Sequence, residues 1–113
     1  MVIKAKRKKL SDSEVKKAIG SFKRGLKKTG VSFEHVYIFG SYAKGNQRVD
    51  SDIDVAVVLP DKEKQTLKKK LVSIVWLAKQ INVKLEPHLL CESDFANRWL
   101  SLPAEIKKHG VKV

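Results

Sequence analysis

Asp52 and Asp54 stand two residues apart at the mouth of the apolar run Ile53–Leu59, within the stretch "IFGSYAKGNQRVDSDIDVAVVL" from Ile38 to Leu59. Side chains alternate across a strand. Ile53, Val55, Val57 and Leu59 therefore share one face, while Asp52 and Asp54 share the other, continued by Ala56 and Val58. Two carboxylates so placed repel unless something positive lies between them. A divalent cation meets that need, and magnesium takes oxygen ligands, usually one or two carboxylates with waters and phosphates.

A third acid belongs to the same pattern. In Val83–Leu90, Val83, Leu85 and Leu89 form an apolar set and Lys84, Glu86 and His88 the opposite one. If both apolar sets face the helices, Glu86 joins Asp52 and Asp54, where it can complete a metal site or accept a proton from an attacking hydroxyl. The bland alternative for Glu86 is a surface residue paired with Lys84. Upstream, Gly40 lets the backbone turn sharply and approach a ligand. Ser41 offers a hydroxyl and a backbone N–H at the start of a helical turn, which suits phosphate oxygens. Lys44 and Arg48 add charge that can neutralise them. A phosphate cradle joined by a short loop to metal-binding carboxylates suits metal-assisted nucleotidyl transfer.

These groups need a frame. Ser11 and Glu14 form a capping-box pattern, and Val15, Ala18, Ile19, Phe22 and Leu26 follow at helical spacing, so Asp12 to Thr29 reads as an amphipathic helix with Gly30 at its C-terminal end. Val31 to Phe39 reads as a strand, best from His35 onward. Gly40 to Ser51 is a loop with one helical turn at Tyr42–Lys44, and Ile53 to Leu59 a second strand closed by Pro60. Asp61 caps the next helix, in which Leu67, Leu71, Ile74, Val75, Ala78 and Ile81 repeat. Val83 to Leu90 is the third strand, and Pro87 inside it predicts an edge position. Ser93 caps a short helix through Trp99, where Trp99 and Phe95 are expected to cover the core. Residues 104–110, "AEIKKHG", give a last turn or two. Trp76 falls off the main stripe of its helix beside Val72, either broadening the core face or marking a partner-binding patch. The fold class is α/β: a small mixed sheet with helices on one face.

The chain has 113 residues and a formal charge of +12. That length fits one domain spanning 1–113, and the charge favours polyanions or acidic partners without specifying a fold. Solvated helix faces account for much of the lysine, including "KAKRKK" at the start. Cys91 is the single cysteine, so no internal disulfide forms, and a small buried side chain is expected there. His35, His88 and His109 match no zinc spacing. No apolar run approaches the roughly 20 residues of a membrane span, and no signal-peptide core is visible. A cytoplasmic location is expected.

"GSYAKG" followed by "SDIDVAV" resembles the signature of the nucleotidyltransferase superfamily with the DNA polymerase beta-like catalytic core, on Gly40, Ser41, Ala43, Gly45, Asp52 and Asp54. The chain is most similar to the minimal nucleotidyltransferases of prokaryotes. The resemblance implies that Gly40 and Ser41 hold a triphosphate, that Asp52 and Asp54 bind magnesium, commonly two ions, and that Glu86 is the third carboxylate and general base. Close relatives carry arginine where Lys44 stands. Lysine keeps the charge and loses the bidentate geometry.

Larger relatives add an acceptor-binding domain, for which the residues after Glu86 leave little room. The acceptor is then another molecule. Minimal members commonly pair with small helical HEPN toxins and act as antitoxins, moving AMP from ATP to a tyrosine. That is the expectation here. Two others stand beside it: a non-catalytic nucleotide- or partner-binding subunit that neutralises by occlusion, and a nucleotidyltransferase acting on RNA. The charge favours RNA, whereas no nucleic-acid-binding domain or aromatic stacking pattern supports it.

Overall fold

The computed structural model describes residues 10–113, so the opening basic stretch lies outside the described residues. The order is α1 (Asp12–Lys28), β1 (His35–Phe39), α2 (Ser41–Lys44), β2 (Ile53–Leu59), α3 (Leu67–Ile81), β3 (Leu85–Cys91), α4 (Ser101–His109) and β4 (Val111–Lys112), with 3-10 segments at Asp61–Thr66 and Glu92–Ala96.

Helix α1 begins where the capping box requires. Glu14 donates its N–H to Ser11 Oγ at 3.2 Å, and Ser11 donates its own to Glu14 Oε1 at 2.9 Å. Each such cap contributes about 1 kcal/mol. The helix ends at Lys28, and Gly30 and Val31 donate back to the carbonyls of Lys27 and Leu26, closing it as a Schellman turn.

The sheet has strand order β3-β2-β1-β4. Strand β1 is antiparallel to β2 and β4, whereas β2 and β3 are parallel. A parallel pair needs a crossover, and α3 supplies it. The long helices cover one face, as expected. Val15, Ile19, Phe22 and Leu26 of α1 and Ile74 and Ala78 of α3 pack on Ile53, Val55, Val57 and Leu59. The second face is not bare: Ile106 and Leu102 of α4, with Phe95, pack on Phe39, Tyr37 and Ala56. The middle of β2 is therefore apolar on both sides, and every residue from Val55 to Leu59 is buried.

Several local expectations are corrected. A fourth strand exists: Val111 and Lys112 pair with β1, too short a segment to show a periodicity. Strand β3 starts at Leu85 rather than Val83. It lies on the sheet edge, which leaves Pro87 without a missing ladder bond on its open side. Asp61 does not cap α3; it opens a 3-10 segment, and its carboxylate accepts the N–H of Ser93 at 2.9 Å. Ser93 likewise lies inside a 3-10 segment, with Cys91 at the cap position. Helix α4 begins at Ser101, with Pro103 buried in its first turn, where no intrahelical N–H is needed. Trp99 does not cover the core and is 85 % exposed, while Phe95 does reach the second cluster. Trp76 and Val72 do not widen the core face either, at 69 % and 73 % exposure. Cys91 is buried against Pro60, and burial pushes its thiol pKa up.

Candidate active site

The acids gather at one end of the sheet, on the face opposite the two long helices. Asp54 and Glu86 are direct register partners across the parallel β2–β3 pair, so their side chains leave the same face side by side. On the other side of Asp54, Phe39 is its antiparallel partner. Asp52 precedes β2 and is exposed at the loop mouth, while Asp54 is half-buried.

Gly40 follows Phe39 and turns the chain into α2. Its φ of +73° and ψ of −151° lie in a region that only glycine adopts readily. There is a second reason for glycine: a Cβ at residue 40 would overlap Asp54 Oδ2. The backbone of Gly40 thus lies directly against the carboxylate. Ser41 opens α2, whose first N–H groups have no acceptor within the helix. Phosphate oxygens could meet those N–H groups beside the acids.

A buried lysine positions the loop that delivers Asp52. Lys84 is 4 % exposed, contrary to its expected place on the open strand face, because it lies before β3 and turns inward. Its Nζ donates to the Val49 carbonyl at 2.7 Å, and its own carbonyl accepts the Ile53 N–H at 2.7 Å. One residue therefore grips the loop on both sides of Asp52. Within it, Arg48 donates its N–H to Ser51 Oγ at 2.8 Å, and Ser51 returns its N–H to the Arg48 carbonyl at 3.1 Å. The Arg48 residue itself is exposed.

Two basic side chains that sequence reasoning did not assign to the site belong to it. Lys79 of α3 reaches around the sheet edge and meets Glu86 Oε2 at 3.4 Å, while also donating to the Val83 carbonyl at 3.0 Å. Lys79, not Lys84, is thus the ion-pair partner of Glu86. His88, on the same strand face as Glu86, places Nε2 3.4 Å from Asp54 Oδ1 and meets Phe39 edge-on at 5.1 Å. The signal for His88 was present: it lies two residues beyond Glu86 and so on the same face. Lys44 turns away from its expected role and pairs with Glu105 of α4 at 3.1 Å.

Asp52, Asp54 and Glu86 offer only carboxylate oxygens, partly open to solvent, the donor type that magnesium takes together with waters and phosphates. Among the described residues, the one acidic-and-histidine group whose ligand atoms already stand close enough to share a cation lies elsewhere, at the start of β1. Ligand atoms of Glu34, His35 and Glu92 come within 4.8 Å of one another. The neighbouring Glu34 carboxyl, by hydrogen bond and repulsion, raises the pKa of Glu92, with His35 opposing.

Comparison with known proteins bears on the chemistry. A family model described as a nucleotidyltransferase domain matches residues 21–113. A crystal structure of an inferred nucleotidyltransferase from Sulfolobus solfataricus shares the fold, with a TM-score of 0.53 and 19 % identity over 91 % of this chain and 87 % of that one. No curated protein matches. No helix among the described residues is long and apolar enough to cross a membrane.

Proposed function

The chain belongs to the nucleotidyltransferase-domain family, and we propose that it transfers AMP from ATP to a hydroxyl group on a partner protein. The observation that carries this reading is the adjacency of Asp54, Glu86 and the Gly40 backbone. It brings a carboxylate pair and the glycine turn that leads into Ser41 to one point.

Gly40 and Ser41 hold the triphosphate through backbone N–H groups and the Ser41 hydroxyl. Arg48, on the loop before Asp52, meets its outer charge. Lys44 joins only by exchanging Glu105 for phosphate, since the two are paired at 3.1 Å. Asp52, Asp54 and Glu86 would hold magnesium, which when bound would neutralise phosphate charge and acidify an attacking hydroxyl. His88 and Lys79 orient Asp54 and Glu86. The acceptor oxygen attacks the α-phosphorus; the new P–O bond forms as the bond to pyrophosphate breaks. Glu86 takes the hydroxyl proton, and pyrophosphate leaves with the electron pair.

The acceptor is a tyrosine of a small helical protein of the HEPN toxin class, which this chain neutralises as antitoxin. The resemblance to minimal nucleotidyltransferases supports that choice. A comparison of α-labelled with γ-labelled ATP tests it. Label on the partner from the α position alone marks nucleotidyl transfer, label from γ marks phosphoryl transfer, and label on RNA moves the acceptor to nucleic acid.

A further inference from the structure

The outer face of α3 carries an apolar stripe that nothing in the described chain covers. Val72 and Trp76, one turn apart, are 73 % and 69 % exposed. They line a groove of about 410 Å³ with Ser73, Leu77, Gln80 and Thr29 from the end of α1. Sharing Thr29, Ser73 and Leu77, a second groove of about 340 Å³ continues it past Lys69 and Lys70. Lys68 and Lys69 lie one turn before Val72, and both are exposed. No acidic residue lines either groove.

We propose that this face docks an amphipathic helix with acidic flanks, presented by the partner protein. From Lys68 to Gln80 the stripe runs ~18 Å at 1.5 Å per residue, matching about three turns of a partner helix. Trp76 and Val72 supply an apolar anchor, since a large exposed aromatic within an apolar patch is characteristic of an interface centre. Lys68 and Lys69 select the sign of the flanks, Lys70 being paired with Glu63 at 3.4 Å. A second copy of this chain does not match: it carries the same +12 charge and brings lysine rather than carboxylate to the stripe. The chain's own opening "KAKRKK" has the wrong sign as well. The inference uses the partner half of the proposed function and none of its chemistry.

Trp99→Phe leaves Trp76 as the single tryptophan, and the probe is a synthetic helical peptide with leucine at i, i+3, i+4 and i+7 and glutamate on its flanks. Titration without nucleotide or metal keeps the outcome separate from transfer. The expected result is a saturable blue shift of Trp76 emission, with affinity falling roughly tenfold between about 50 mM and 500 mM salt. Val72→Asp, an exposed change that spares the core, abolishes the shift with thermal stability unchanged. The same peptide with lysine for glutamate does not bind. Absence of a shift with the acidic peptide, or equal binding of both peptides, overturns the proposal. So does concentration-dependent self-association that Val72→Asp abolishes, which would make a second copy the occupant.

Discussion

The Asp54 carboxylate occupies the space in which a side chain at residue 40 would stand. The left-handed backbone of Gly40 and the placement of Asp54 on β2 are thus one feature, and changing either disturbs both.

Gly40→Ala is expected to lower stability by at least about 2 kcal/mol, from backbone strain and overlap together, and to abolish nucleotide binding. Gly45→Ala separates the two causes. Its φ is also positive, at +77°, but open space surrounds it, so the loss is about 1 kcal/mol of strain alone. Urea unfolding of both variants, with nucleotide titration, makes the comparison.

Glu86→Gln keeps shape and removes the proton acceptor. The expected result is a fall in kcat of about 10²–10⁴-fold with nucleotide still bound. Lys79→Met takes away the partner that holds Glu86 at 3.4 Å, and its effect is expected to be smaller and to vanish in the Glu86→Gln background. A double-mutant cycle on single-turnover rates reads that coupling.

Lys84→Ala removes the grip on the Val49 carbonyl and empties a buried site. A loss of about 1–3 kcal/mol follows. Lys84→Met fills most of the volume, so it should recover part of the stability but not the loop's position. Weaker magnesium and nucleotide binding in Lys84→Met, by calorimetry, is the expected mark of positioning rather than packing.

Glu92 lies beside Glu34, and the proximity raises its pKa. A carboxyl whose pKa is raised on folding stabilises the native state below its unfolded pKa, about 4.3 for glutamate. That contribution is lost as pH rises through the folded value. Glu34→Gln, which removes the carboxyl responsible, should therefore flatten that dependence, so that Tm falls less between about pH 4 and pH 7 than in the wild type. Thermal melts across that range check it.

The frame was largely legible in the residues. The capping box of α1, the alternation of Ile53–Leu59 and the stripe of α3 each follow one dominant period, and the same alternation put Asp54 and Glu86 on one face. What escaped depends on contacts between distant segments. Lys84 reads as an open-face strand residue until the loop at Val49 is seen to lie over it. Lys79 belongs to a helix on the opposite side of the sheet, and its reach around the edge to Glu86 has no local signature. Strand β4 is two residues long, shorter than any period. Asp61 and Ser93 suit caps by residue type, yet they bond to each other across 32 residues.

The central claim is nucleotidyl transfer by the Asp52–Asp54–Glu86 cluster onto a protein hydroxyl. The most direct measurement is transfer of α-label from ATP, with magnesium, to a bound small helical partner, comparing the wild type with Asp52→Asn/Asp54→Asn. The account predicts label on a tyrosine of the partner in the wild type, and none in the double variant with its fold and partner binding intact. Undiminished label in the double variant, or no label in the wild type with nucleotide, magnesium and partner all bound, would contradict it.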